Sequence, residues 1–188
     1  INYISLFLFY YFMSKLNIGD NSPDFDLLGV DNSKHSLSEF ASKDVLVIMF
    51  TCNHCPVVKA YESRLVKIQE DYKHHNVELV AINSNDPKKY PEDSFEQMII
   101  RSKEKSYNFN YLIDEDQTIA DAYGAERTPE IFVFDNRRIL RYHGRIDDNK
   151  DESLVQSHDL RNAIDCIVSG TEIDTPETSS IGCSIKWI

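Results

Sequence analysis

Apolar residues are unevenly spaced along this chain, and the spacing predicts its elements. Val45-Leu46-Val47-Ile48-Met49-Phe50 is an unbroken apolar run of strand length, rich in β-branched residues, as in a parallel strand covered on both faces. Beyond it Val58, Tyr61, Leu65, Ile68 and Tyr72 recur at alternating intervals of three and four. That is one stripe of an α-helix, with Lys59, Glu62, Arg64, Lys67 and Glu70 around its polar side. Residues 77–83 form a second apolar strand, so strand, helix and strand make a parallel, right-handed unit.

The flanks extend this core. Residues 23–32 alternate and then turn, which predicts a short N-terminal hairpin, and residues 37–40 lead into the central strand. Asn85-Asp86-Pro87 and Tyr90-Pro91 mark a loop. Phe95, Met98, Ile99 and Ser102 give the next helix its inward face, and Tyr111-Leu112-Ile113 with a short helix around 119–123 completes an insertion. Residues 131–134 and 139–142 are two strands joined so closely that they must form an antiparallel hairpin. Leu160, Ala163, Ile164 and Ile167 form the apolar face of a last helix, with Gly170 as the residue just past its end. The expectation is an α/β protein: a hydrophobic extension over 1–12, one domain over 13–170 and a tail over 171–188.

Length and charge narrow the function. A chain of 188 residues buries a core without disulfide staples, and four cysteines are too few for a disulfide scaffold. The formal charge of −11, with no basic run, argues against a nucleic-acid partner and reads as a solvated acidic surface. Residues 1–12 are almost wholly apolar but fall short of the roughly 20 needed to span a bilayer, and they lack a basic leader and a cleavage site. Met13-Ser14-Lys15-Leu16 reads as a start of translation. On that reading the upstream stretch is an extension and the protein cytoplasmic; as a remnant of a signal or anchor, it would instead mean tethering or export.

Chemistry concentrates in Phe50-Thr51-Cys52-Asn53-His54-Cys55-Pro56, where the strand runs into the helix. Two cysteines three positions apart can close a disulfide. The N–H groups at a helix start favour the thiolate, which can lower a cysteine from about 8.5 to roughly 3.5–7.5. This reading places Cys52 at the helix start as the exposed, attacking thiol and Cys55 in the first turn as the buried, resolving one. A protonated His54 between them would push the same way. Pro56 is tolerated in a first turn.

The order of elements, the Cys-x-x-Cys after the first central strand and Thr128-Pro129 before the hairpin resemble the thioredoxin superfamily. The pattern is similar to its peroxiredoxin-like, AhpC/TSA-type redoxins through Pro23-Asp24-Phe25, Thr51 to Pro56, Ala81 to Asp86, Arg127 to Phe132, Gly144 to Asn149 and Ile181 to Trp187. The resemblance implies a thioredoxin-like mixed sheet flanked by helices, a cis Pro129 beside the cysteine pair, and a main-chain substrate-binding role for Thr128. It implies thiol–disulfide exchange with protein or small-molecule disulfides, a thiol donor such as thioredoxin or glutathione, and no bound organic cofactor.

The chain also departs from the family. Thioredoxins carry Trp directly before the first cysteine and a buried acid six residues before it; here those residues are Thr51 and Leu46, and Glu130 and Glu92 read as solvated carboxylates, with substitution for the acid the alternative. Peroxiredoxins place a Thr three residues before the reactive cysteine, whereas Thr51 lies four before Cys55. Arg127 would serve hydroperoxide binding only if it turned inward. A thiol peroxidase therefore stays as a second reading. Copper delivery through Cys52, Cys55 and His143 or His54 is a third, and a redox-sensing module a fourth. Cys166 falls beside its helix's apolar stripe. Cys183, near the single Trp187, is read as a packing residue, with fold-back as an extra resolving thiol the alternative.

Overall fold

A computed structural model of the protein describes residues 16–188. The hydrophobic extension at 1–12 lies outside them. The strands are β1 (Asp26–Gly29), β2 (Lys34–Ser36), β3 (Val45–Thr51), β4 (Val77–Asn83), β5 (Asn110–Ile113), β6 (Arg127–Thr128), β7 (Glu130–Phe134), β8 (Leu140–Gly144) and β9 (Cys183–Ser184). The α-helices are α1 (Pro56–Tyr72), α2 (Phe95–Glu104), α3 (Thr118–Tyr123) and α4 (Asp159–Ser169). One mixed sheet runs in the order β2-β1-β5-β4-β3-β7-β8, and β6 with β9 forms a separate two-stranded ribbon.

The central strand explains its own composition. β3 pairs in parallel with β4 and antiparallel with β7, and all seven of its residues are buried. Because successive side chains point to opposite faces, Val45, Val47 and Met49 pack with Tyr61, Leu65 and Ile68 of α1, Met98 of α2, and Leu160 and Ile164 of α4. Leu46, Ile48 and Phe50 face the other way, toward Phe25, Phe40, and Ala120 and Tyr123 of α3. Each such fully buried side chain contributes about 1.5–3 kcal/mol. Central burial is therefore what demands the unbroken apolar run.

Two expectations change. The segment read as an insertion is part of the sheet: β5 pairs in parallel with β4 and antiparallel with β1, so it joins the N-terminal hairpin to the core. The polar side of α1 is also not uniformly solvated. Glu62 and Arg64 are only 4% and 8% exposed. Glu62 accepts two hydrogen bonds from the Arg101 guanidinium, at 2.6 and 2.7 Å, and one from the Tyr107 hydroxyl. Arg64 pairs with buried Asp147 and reaches the carbonyls of Asn149 and Lys150. Helical periodicity marks the face that meets the sheet and carries no information about a second layer laid over the opposite side.

Gly170 does end α4 in the left-handed conformation, φ 71°. The tail beyond it is built into the fold. Ile185 is buried among the core residues, its N–H donates to the Glu126 carbonyl, and the Lys186 N–H donates to the Asn85 side chain. No helix among the described residues is long and apolar enough to cross a membrane.

Candidate active site

The strand–helix junction places both cysteines, one step differently from expectation. α1 begins at Pro56, and Cys55 is its N-cap, with extended backbone angles of φ −64° and ψ 123°. The physical reason is Pro56 itself, which is favoured at the first helical position and drives the residue before it out of the helical region. Cys52 therefore lies in the connection between β3 and α1, outside the helix.

Neither thiol is exposed: Cys52 is 1% and Cys55 0% accessible. They pack with Val58 and against Cys183. The Thr128–Pro129 peptide is cis, and this turn meets both sulfurs. The Cys52 Sγ lies 3.3 Å from the Thr128 hydroxyl, and the Cys55 thiol donates to the Thr128 carbonyl at 3.4 Å.

The electrostatics of the pair are asymmetric and favour the thiolate at Cys55. A hydrogen bond from Cys52 holds the Cys55 thiol down, at about 4, against the opposing effect of burial. The Cys183 side chain and the backbone N–H groups of Val58 and Cys183 act with it. Cys52 is pushed upward by its hydrogen bond with Cys55, by burial and by the charge of Asp93. The contact between the two sulfurs is the largest effect on both; beyond it, the Val58 N–H in the first turn of α1 favours the Cys55 thiolate, whereas the Asp93 carboxylate disfavours that of Cys52.

That carboxylate is the residue sequence reasoning missed. Asp93, 1% exposed, accepts the Asn53 N–H at 2.6 Å on one oxygen; its other oxygen contacts His54 Nδ1 at 2.5 Å and accepts from the Asn85 amide at 2.9 Å. The Asn53 side chain accepts from the Tyr111 hydroxyl and donates to the Glu92 carbonyl. Asp93 sits in a Pro-rich loop 38 residues after Cys55, where nothing local distinguishes it from a solvated acid.

Glu92 is exposed. Glu130 is buried, but its oxygens accept from the N–H groups of Glu126 and Arg127 and meet His143 Nε2 at 2.8 Å. Burial raises the Glu130 carboxyl, and His143 with those two N–H groups outweighs it, leaving the group below its ordinary value. Glu130 and His143 line a separate cleft of about 480 Å³, with Arg127, Thr178 and Ser180, which contains neither Cys52 nor Cys55. The acid beside Cys52 is thus Asp93 and neither of the two glutamates.

Other predicted residues are placed as follows. His54 stacks on Tyr90, ring centroids 5.0 Å apart. Cys52, His54 and Asp93 bring one sulfur, one nitrogen and one oxygen ligand atom within 4.8 Å of one another. His143, the other histidine considered for metal, is turned to Glu130 and stacked on Phe132. Thr51 is buried at the end of β3. Arg127 is exposed and donates to the Gly182 carbonyl at 3.2 Å, so it does not turn inward. Thr128 is engaged along its main chain, since β6 pairs antiparallel with β9 through Arg127–Ser184 and Thr128–Cys183.

The model of the AhpC/TSA family matches residues 18–143. The chain belongs to the AhpC/TSA family. Among solved structures, an uncharacterized conserved protein from Geobacillus kaustophilus is 40% identical, with a TM-score of 0.87 over 92% of this chain and 93% of that one. A hypothetical protein from Sinorhizobium meliloti is 37% identical, with a TM-score of 0.88 over 93% and 97%. The thiol-disulfide oxidoreductase ResA of Geobacillus thermodenitrificans is 27% identical over 120 residues, 63% of this chain and 63% of that relative's length. More distant thioredoxin-like structures, 16% and 21% identical, share the chain path at TM-scores of 0.58 and 0.65. This member of the AhpC/TSA family therefore has a thioredoxin-like fold.

Proposed function

We propose that this AhpC/TSA family member is a thiol–disulfide oxidoreductase whose redox pair is Cys52 and Cys55. The observation that carries the reading is the N-cap placement of Cys55, which favours its thiolate, packed with a second thiol at the strand–helix junction. The likeness to a relative named as a thiol-disulfide oxidoreductase supports it. The Cys55 thiolate attacks a substrate disulfide, forming a mixed disulfide and releasing one substrate thiolate. Cys52 loses its proton and attacks the Cys55 sulfur. The second substrate thiolate then leaves, and two electrons have passed from the protein to the substrate.

Partners of this chemistry are protein or small-molecule disulfides and a thiol donor that regenerates the pair. Insulin reduction with dithiothreitol, run on wild type, Cys52→Ser and Cys55→Ser, tests the assignment. Activity should be lost in Cys55→Ser and impaired in Cys52→Ser, which cannot form the Cys52–Cys55 disulfide. Full turnover in Cys55→Ser sinks the reading.

A peroxidase is the second reading, favoured by the low value of Cys55, whose thiolate would be oxidised by a hydroperoxide to a sulfenic acid. The outward Arg127 weighs against it. Hydroperoxide consumption with thioredoxin or glutathione as donor, measured beside insulin reduction, separates the two.

A further inference from the structure

The tail delivers a third sulfur to the redox pair. Cys183 Sγ lies 2.7 Å from Cys55 Sγ. Nonbonded carbon atoms sit about 3.5–4.0 Å apart and a disulfide measures about 2.05 Å, so the contact already falls between the two. Several independent features hold Cys183 there. It is paired with Thr128 in the β6–β9 ribbon, Ile185 is sunk into the core two residues later, and the Gln117 side chain donates to the Lys186 carbonyl and accepts from the Ile188 N–H. Gly182 passes so close to the cis turn that a Cβ there would overlap the Thr128 carbonyl oxygen and stand 2.6 Å from its carbon.

The same ribbon covers the pair. Cys52 and Cys55 are buried, whereas Cys183 is partly exposed. Its strand pairs with the Thr128 main chain, the position where an extended segment of a substrate would lie under the proposed mechanism.

We propose that Cys183 is a third redox-active thiol that competes with Cys52 for Cys55. This rests on the reading of Cys52 and Cys55 as the redox pair. Starting from the Cys52–Cys55 disulfide, the Cys183 thiolate attacks Cys55 Sγ. The Cys55–Cys183 bond forms, the Cys52–Cys55 bond breaks, and Cys52 leaves as a thiolate that takes up the proton Cys183 released. No electrons are gained or lost, so the exchange needs no oxidant beyond the one that formed the first disulfide. Its effect is to move the disulfide from a buried pair to one with a partly exposed member, where an outside thiol can reach it.

The test is disulfide mapping of the full chain. Wild type, Cys52→Ser, Cys52→Ala and Cys183→Ser are oxidised with diamide, alkylated, digested without reductant and analysed by mass spectrometry, with circular dichroism confirming the fold. Both Cys52 variants should yield a Cys55–Cys183 disulfide, Cys183→Ser only Cys52–Cys55, and wild type a mixture of both in which Cys55 is always shared. If wild type forms Cys52–Cys55 while folded Cys52 variants leave Cys55 and Cys183 fully alkylated, the third-thiol proposal is wrong and the redox pair stands. If Cys52–Cys55 never forms, even in Cys183→Ser, the underlying pair itself is wrong and the exchange falls with it.

Discussion

Replacing Gly182 with Ala probes how firmly the tail is seated over the thiols. The new Cβ would overlap the Thr128 carbonyl oxygen and lie 2.6 Å from the carbonyl carbon and 3.1 Å from the Pro129 nitrogen. All three are backbone atoms of the turn beside both cysteines, so no flexible side chain can yield. Restoring a contact of about 3.5 Å demands a separation of roughly 1 Å. Overpacking of this kind costs about 1–3 kcal/mol, and here it falls on the ribbon that holds Cys183 against Cys55. If that cost is borne by tail docking, the population with the tail lifted rises roughly 5- to 150-fold. Iodoacetamide labelling of the reduced, folded protein at pH 7, followed by mass spectrometry, should show Cys55 alkylation accelerated by that factor. Yield of the Cys55–Cys183 disulfide should fall in parallel. Labelling within twofold of wild type, with an unchanged melting temperature, would refute the claim that close backbone approach at Gly182 seats the tail.

Further outcomes follow from the same geometry. The Cys55 thiol is held down at about 4, below its ordinary value, and a lowered value in the folded state stabilises the fold above the ordinary value and loses that gain as pH falls through the folded one. The stability of reduced wild type relative to Cys55→Ser should therefore rise from about pH 4 to pH 9, and denaturant titrations showing no such rise would contradict the assignment. Asp93→Asn removes the charge that raises Cys52 and leaves at least one buried donor without its acceptor. Thiol titration in a Cys55→Ser background should find Cys52 lower than in that background alone, and urea unfolding a loss of about 1–3 kcal/mol. Asp147→Ala leaves the buried Arg64 guanidinium without its carboxylate, for which about 3–5 kcal/mol of destabilisation is expected by thermal or urea unfolding, with the Cys52–Cys55 disulfide still able to form.

What the chain determined by itself is its local grammar. The apolar run of β3, the three-and-four spacing of α1, the short link between β7 and β8, and Gly170 at the end of α4 each express a constraint acting within a few residues. Periodicity, turn chemistry and capping therefore made them legible. The Cys52/Cys55 spacing was legible for the same reason. Tertiary structure decided what lies across from what. Asp93 and Cys183, 38 and 128 positions beyond Cys55, were carried to the thiols by the loop before α2 and by the tail strand. Charge and sulfur contacts act over a few ångströms of space whatever the distance along the chain, and only the folded sheet brings those residues within reach.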